Sequence, residues 1–167
     1  MEILADTIEK LLNKELSLYK ELYDLLEKEK LYVIDINIDY LWETIVRKKQ
    51  IALELETLNK KMVKLLKIRA GELSVDSSSL KLSDYITKLP VSKKIKSKIR
   101  SIKLGLETYK KRVSSLALAN KKYINESLVV LNDIVSTVVD SVSGKQYNNY
   151  GDFFNSNKKK NFINAEV

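Results

Sequence analysis

Three long stretches of the chain place apolar residues every three or four positions, the spacing of one face of an α-helix. In the first, from about Ile3 to about Tyr32, one ladder is Leu4, Ile8, Leu11, Leu18, Leu22 and Leu25. Leu12, Leu16, Tyr19, Tyr23 and Leu26 form a second ladder beside it. Two adjacent ladders suit a helix that meets two others, or one other and a partner. Glu15 and Glu29 occupy rungs of the first ladder, so the seam is not a dry zipper. The second stretch runs from about Ile38 to about Ala70. Its ladder is Leu41, Ile45, Ala52, Leu55, Met62 and Leu66, widened by Ile51, Leu58 and Leu65. Trp42 and Met62 read as core packing. Between the two helices, Ile34, Ile36 and Ile38 alternate with Asp35, Asn37 and Asp39, which looks like a strand. So short a run with no second strand near it makes no sheet. It reads as a tight connection, with Asn37 or Asp39 as N-cap of the next helix. A connection this short makes the two helices an antiparallel hairpin.

After a Ser-rich linker, Gly71 to Ser79, Ser83 can cap a short helix through Leu89, which Pro90 ends. Ser92 can then cap a long third helix, from about Lys93 to Val142. Its ladder is Ile99, Ile102, Leu106, Tyr109, Val113, Leu116, Asn120, Tyr123, Ser127, Val130 and Ile134. Asn120 puts an amide on a core rung, a device that costs stability and can fix register. Gly105 lies mid-helix, where close helix approach or a weak point is expected.

The end of this helix is its most apolar part. Ile124, Leu128, Val129, Val130, Leu131, Ile134, Val135, Val138, Val139 and Val142 are all large and apolar. All but Val129 fall within an arc of about 180° on an ideal wheel. A helix lying on one core needs a stripe only a little over about 100° wide. Glu126, Asp133 and Asp140 recur every seven residues and keep the opposite side wet. Two readings follow: a helix offering one edge to a partner, or a central helix gripped on two sides by its own chain.

The fold class is therefore all-α. An antiparallel helical hairpin plus a long third helix forms a three-helix, coiled-coil-like bundle, with a short connecting helix. Beyond Ser143 the composition shifts to Asn and Lys, and such a tail cannot bury enough to order itself. The expected domains are a bundle over 1–143 and a flexible C-terminal tail over 144–167. Tyr147, Tyr150, Phe153 and Phe154 at the start of that tail suit docking, or folding back onto the bundle.

Composition narrows the chemistry. Four glycines, one proline and 31% charged residues belong to long helices. Without cysteine there are no disulfides or thiolate metal sites. Histidine is absent too, and with it the commonest general base and metal ligand. The glycines are isolated, so no phosphate loop exists, and the carboxylate pairs Glu27/Glu29 and Glu54/Glu56 fall on different helix faces. No catalytic residues, cofactor, metal or small-molecule substrate are expected. No apolar run is long enough to span a membrane. An acidic start, Glu2 and Asp6, is unlike a secretion signal, so the expected location is cytoplasmic.

Of the net charge of +8, Lys93 to Arg112 carries all: nine basic residues and one acid, Glu107. Such a stretch could follow a phosphate backbone. But it wraps more than half the helix circumference and has no interleaved stacking aromatics in its basic core, so a solvated helix start is the preferred reading. The competing reading of the whole chain is a structural coiled-coil or nucleic-acid-associated helical protein using residues 93–112.

The order of these segments resembles the FlgN family of flagellar export chaperones. "KLLNKELSLYKELYDLLEKEK" looks like the family's acidic, leucine-rich first helix. "NIDYLWETIVRKKQIALELETL" is similar to its second helix. "ANKKYINESLVVLNDIV" is similar to its Asn-centred third, with Asn120 at the asparagine. "QYNNYG" resembles the short Tyr-x-x-x-Gly signature that follows. The Lys-rich start of helix three and the Asn/Lys tail depart from the pattern. The resemblance implies a cytosolic type III export chaperone. Such proteins bind the C-terminal amphipathic helices of hook–filament junction (hook-associated) proteins, prevent their aggregation and deliver them to the export gate. It places client contacts at the end of the long helix, on Leu128, Leu131, Ile134, Val135 and Val138, and the apolar arc extends the expected contact to Ile124 and Val142. It places docking to the cytosolic domain of the gate on Tyr147.

Overall fold

The computed structural model describes residues 2–69 and 82–143, the side chains of 69 and 140–143 excepted. The described residues are almost wholly helical: α1 (Glu2–Ile34), α2 (Ile38–Arg69), α3 (Leu82–Lys88) and α4 (Lys93–Ser143). The chain forms two compact units, Met1–Lys122 and Tyr123–Val167. The expected tail, 144–167, lies outside the described residues.

In the first unit, ion pairs report the helix directions. Lys14 faces Glu54 (3.9 Å) and Arg47 faces Glu21 (2.5 Å), so numbers rise on α1 as they fall on α2. The hairpin is antiparallel, as its short connection requires. Against α4 the numbers rise together. Glu9 pairs with Lys98 (2.6 Å), Glu15 with Lys110 (2.7 Å), and Leu26 O accepts from Asn120 (2.7 Å). Helices α1 and α4 are therefore parallel.

The turn between α1 and α2 closes without glycine. Ile36 adopts φ 52°, the amide of Asn37 donates to Tyr32 O (2.9 Å), and that of Ile36 to Val33 O (3.3 Å). This is the Schellman termination, in which glycine usually takes the left-handed position. Asn37 then caps α2, its Oδ1 accepting from the Tyr40 amide (3.4 Å). Ser92 caps α4 in the same way, accepting from the Ile95 amide (3.4 Å).

The core joins all four helices at one end. Leu4, Ala5, Ile8 and Leu12 of α1 meet Met62 and Leu66 of α2, Ile99 and Leu106 of α4, and Tyr85, Ile86 and Leu89 around α3. The short helix is thus a plug, and Tyr85 anchors it by donating its buried hydroxyl to Leu66 O (2.8 Å). Ser83 lies inside α3, where its hydroxyl accepts from Lys103 (3.0 Å). Leu18, Ile51 and Leu58 form a smaller cluster along the hairpin.

Two expectations for α2 need correction. Trp42 is 63% exposed and packs in no core. Ala52 is exposed too, while Thr44, Ile51 and Leu58, seven residues apart, are buried. The seam follows the bulkier Ile51 and Leu58, which turns Ala52 and Trp42 outward. At Gly105, an added Cβ would meet Leu16 Cδ2 at 3.7 Å, ordinary van der Waals contact, so the helix approach does not demand glycine.

Candidate functional site

The seam of α4 is built on a seven-residue step. Ile99, Leu106, Val113 and Asn120 are all buried. The last of these rungs is polar. Asn120 Nδ2 donates to Leu26 O (2.7 Å) and to Glu29 Oε2 (3.0 Å). Glu29 is itself buried, and Lys48 of α2 donates to its other oxygen. One amide, one carboxylate and one ammonium thus tie α4, α1 and α2 together. Among the described residues no buried side-chain nitrogen or oxygen lacks a partner.

Past this rung the burial pattern changes. Ser127 is half-buried and Ile134 is exposed. In the second unit, Leu128, Val129, Val130, Leu131, Ile134, Val135, Val138 and Val139 are all between 52% and 59% exposed. Scattered exposed apolar residues are normal, whereas a contiguous run calls for its own account. A shallow depression of about 310 Å³ lies within it, lined by Val130, Asp133, Ile134, Thr137 and Val138. Two hydroxyls on this stretch of α4 bond within the helix. Ser127 Oγ donates to Tyr123 O (3.0 Å) and Thr137 Oγ1 to Asp133 O (2.8 Å). An apolar visitor would leave neither hydroxyl without its bond.

Of the residues named from the sequence, Leu128, Leu131, Ile134, Val135 and Val138 lie together in this run. Ile124 is half-buried at its start. The side chain of Val142, and Tyr147 altogether, lie outside the described residues. Val129, Val130 and Val139 are as exposed as the named residues and were not among them. Their signal was the same apolar run, with Val129 falling off the main arc.

The basic stretch has local explanations in part. Lys98 and Lys110 pair with α1 carboxylates, and Lys103 with Glu107 one turn on (2.8 Å). Lys96 donates to Thr87 O (2.7 Å), and the Arg112 guanidinium lies over the Tyr109 ring. Across the hairpin, Arg47 grips Glu21 through Nε (2.5 Å) and Nη2 (2.9 Å). That hydrogen-bonded fork holds the Glu21 carboxyl below its ordinary value, against a smaller opposing effect of desolvation. No cluster of three metal-ligating side chains occurs among the described residues, and no described helix is long and apolar enough to cross a membrane.

The family model described as FlgN protein matches residues 1–152. The chain belongs to the FlgN family. The match takes in all four helices, the whole exposed run of α4 and Tyr147. The likeness seen in the order of its segments is borne out. FlgN is a chaperone family of flagellum biogenesis, so this FlgN chain is in general terms a flagellar export chaperone. No curated protein and no solved structure matches it.

Proposed function

We propose that the chain is a cytoplasmic chaperone for hook–filament junction proteins, and that the exposed run of α4 receives their C-terminal amphipathic helices. The observation that carries this reading is the band of eight large apolar side chains, Leu128 to Val139, each more than half exposed. A protein leaves such a band open only at some cost in solubility. An amphipathic helix laid along it covers its own apolar face and the band at once, in the helix-in-groove mode. Ile124 and Val142 extend the same contact at either end. Covering the band keeps the client's apolar face from aggregating before export. Release needs no nucleotide at this protein; a competing contact at the export gate is enough. Tyr147 makes that contact, a role that rests on the family resemblance.

The test is co-purification with junction-protein C-terminal segments. Fully burying a Val or Leu side chain contributes about 1.5–3 kcal/mol. Leu131 and Val135 are each a little over half exposed, so Leu131→Asp with Val135→Asp removes about half of that for each and introduces two carboxylates, and affinity should fall by at least about 10-fold. Helicity should be unchanged, because neither side chain is part of the core. Undiminished binding would remove this face from the mechanism. Tyr147→Ala should spare client binding and impair delivery.

A further inference from the structure

Helix α2 has an apolar face that neither the core nor the proposed client contact uses. Ile38, Trp42, Val46 and Leu53 are all more than half exposed. At about 100° per residue they fall within an arc of about 80°, on the side of α2 opposite Thr44, Ile51 and Leu58. Together with half-buried Ile45 and exposed Lys49 they form two ridges of i, i+4 spacing, Ile38–Trp42–Val46 and Ile45–Lys49–Leu53. Such ridges fit the grooves of a second helix. The single tryptophan of the chain sits on the first ridge. Tryptophan is among the residues most enriched at the energetic centres of interfaces. The stripe begins beside the turn, where Ile36 is 73% exposed at a positive φ. A β-branched side chain there is strained and gains no burial, a pattern typical of functional surface.

We propose that this face joins two copies of the chain, with their α2 helices antiparallel and the register centred between Ile45 and Val46. The stripe is self-complementary about that point. Ile38 of one copy meets Leu53 of the other, and Val46 meets Ile45. Trp42 meets Lys49, so the one cation that interrupts the apolar stripe lies against an indole. In a parallel register Lys49 would face Lys49 and no aromatic would cover either. The antiparallel arrangement is the isologous one, in which a twofold axis makes each contact occur twice. Six residues of one helix fall far short of the about 20–30 a side of a standard interface, so the association is weak and concentration-dependent.

Sedimentation equilibrium of the full chain, from about 1 to about 300 µM, the range of small interfaces, is the test. A monomer–dimer equilibrium is expected, with Trp42 emission shifting to shorter wavelength at the same midpoint. Lys49→Glu should raise the dissociation constant about 5- to 30-fold, since a cation–π contact worth about 0.5–1 kcal/mol is lost twice. Leu53→Asp and Trp42→Ala should each yield monomer, with helical circular dichroism intact. Leu131→Asp with Val135→Asp should leave the equilibrium unchanged. A chain that stays monomeric over the whole range overturns the proposal. So does a dimer that survives Leu53→Asp, one that dissolves with the α4 pair, or one that forms without moving the emission. A monomer whose emission shifts only on adding a junction-protein segment assigns the face to the client instead.

Discussion

Replacing Asn120 by alanine removes two hydrogen bonds from the level at which three helices are tied. One goes to the Leu26 carbonyl at 2.7 Å, the other to the Glu29 carboxylate at 3.0 Å. A neutral bond contributes about 0.5–1.5 kcal/mol net and one to a charged group about 1.5–3. The expected loss is about 2–4 kcal/mol. In a chain of this size that lowers Tm by about 5–15 °C. Urea denaturation followed by helical circular dichroism measures it directly. Asn120→Asp is the sharper perturbation, because it keeps the shape and removes the donor. Its carboxylate would face both a carbonyl and the Glu29 carboxylate, so at pH 7 it should cost more than alanine. Two adjacent carboxylates raise the pKa of the pair. That destabilisation is present above the raised value and is relieved as pH falls through it. The gap between this variant and the parent should therefore narrow between pH 7 and pH 4. An alanine variant within about 0.5 kcal/mol of the parent, the scatter of ordinary surface changes, would refute the reasoning. So would an Asp variant as stable as the alanine one at pH 7.

Three further outcomes follow from the backbone and the ion pairs. Ile36→Gly should stabilise the chain by about 1 kcal/mol, because glycine adopts the left-handed cap position without the Cβ clash; equilibrium unfolding reads the gain. Gly105→Ala should also stabilise, by about 0.5–1 kcal/mol, since it improves helix propensity and the new methyl meets Leu16 at ordinary contact distance. The Arg47–Glu21 pair should contribute only slightly to stability, as exposed pairs do. Because Arg47 depresses the Glu21 pKa, this contribution is complete above 4.5 and lost as pH falls through the lowered folded value. The stability difference between the parent and Glu21→Gln should accordingly shrink below that pH.

The helices were legible because each carries its period over many turns. Leu4, Ile8 and Leu18 of the first ladder and Leu12 and Leu26 of the second are buried, the other apolar rungs of both are half-buried, and the step from Ile99 to Asn120 is buried throughout. The caps at Asn37 and Ser92 were legible because an Asx or Ser side chain before an apolar ladder has few other uses. On α2 the expected ladder holds at Met62 and Leu66 and misses at Ala52, where the seam runs through Ile51 instead. Its hydrophobic residues ring more of the helix than one seam needs, and periodicity alone does not rank Ile51 above Ala52. Residue type alone points Trp42 to the core, but type carries no direction. The apolar end of α4 was visible as a surplus, yet its two readings differ only in what lies beside it, and a wheel cannot supply that. The direct bond from Asn120 to Glu29 links residues 91 positions apart, beyond any local pattern.

The parallel pairing of α1 with α4 orders events during synthesis. Asn120 reaches Leu26 across 94 residues, whereas Arg47 reaches Glu21 across 26. Shorter loops close at lower entropic cost, so the hairpin assembles while the rest of the chain is still being translated. Until the segment around Asn120 has left the ribosome, Glu29 has only Lys48 of these two partners within reach. The nascent hairpin therefore emerges with its inner seam wet, and arrival of the last helix is the event that dries it.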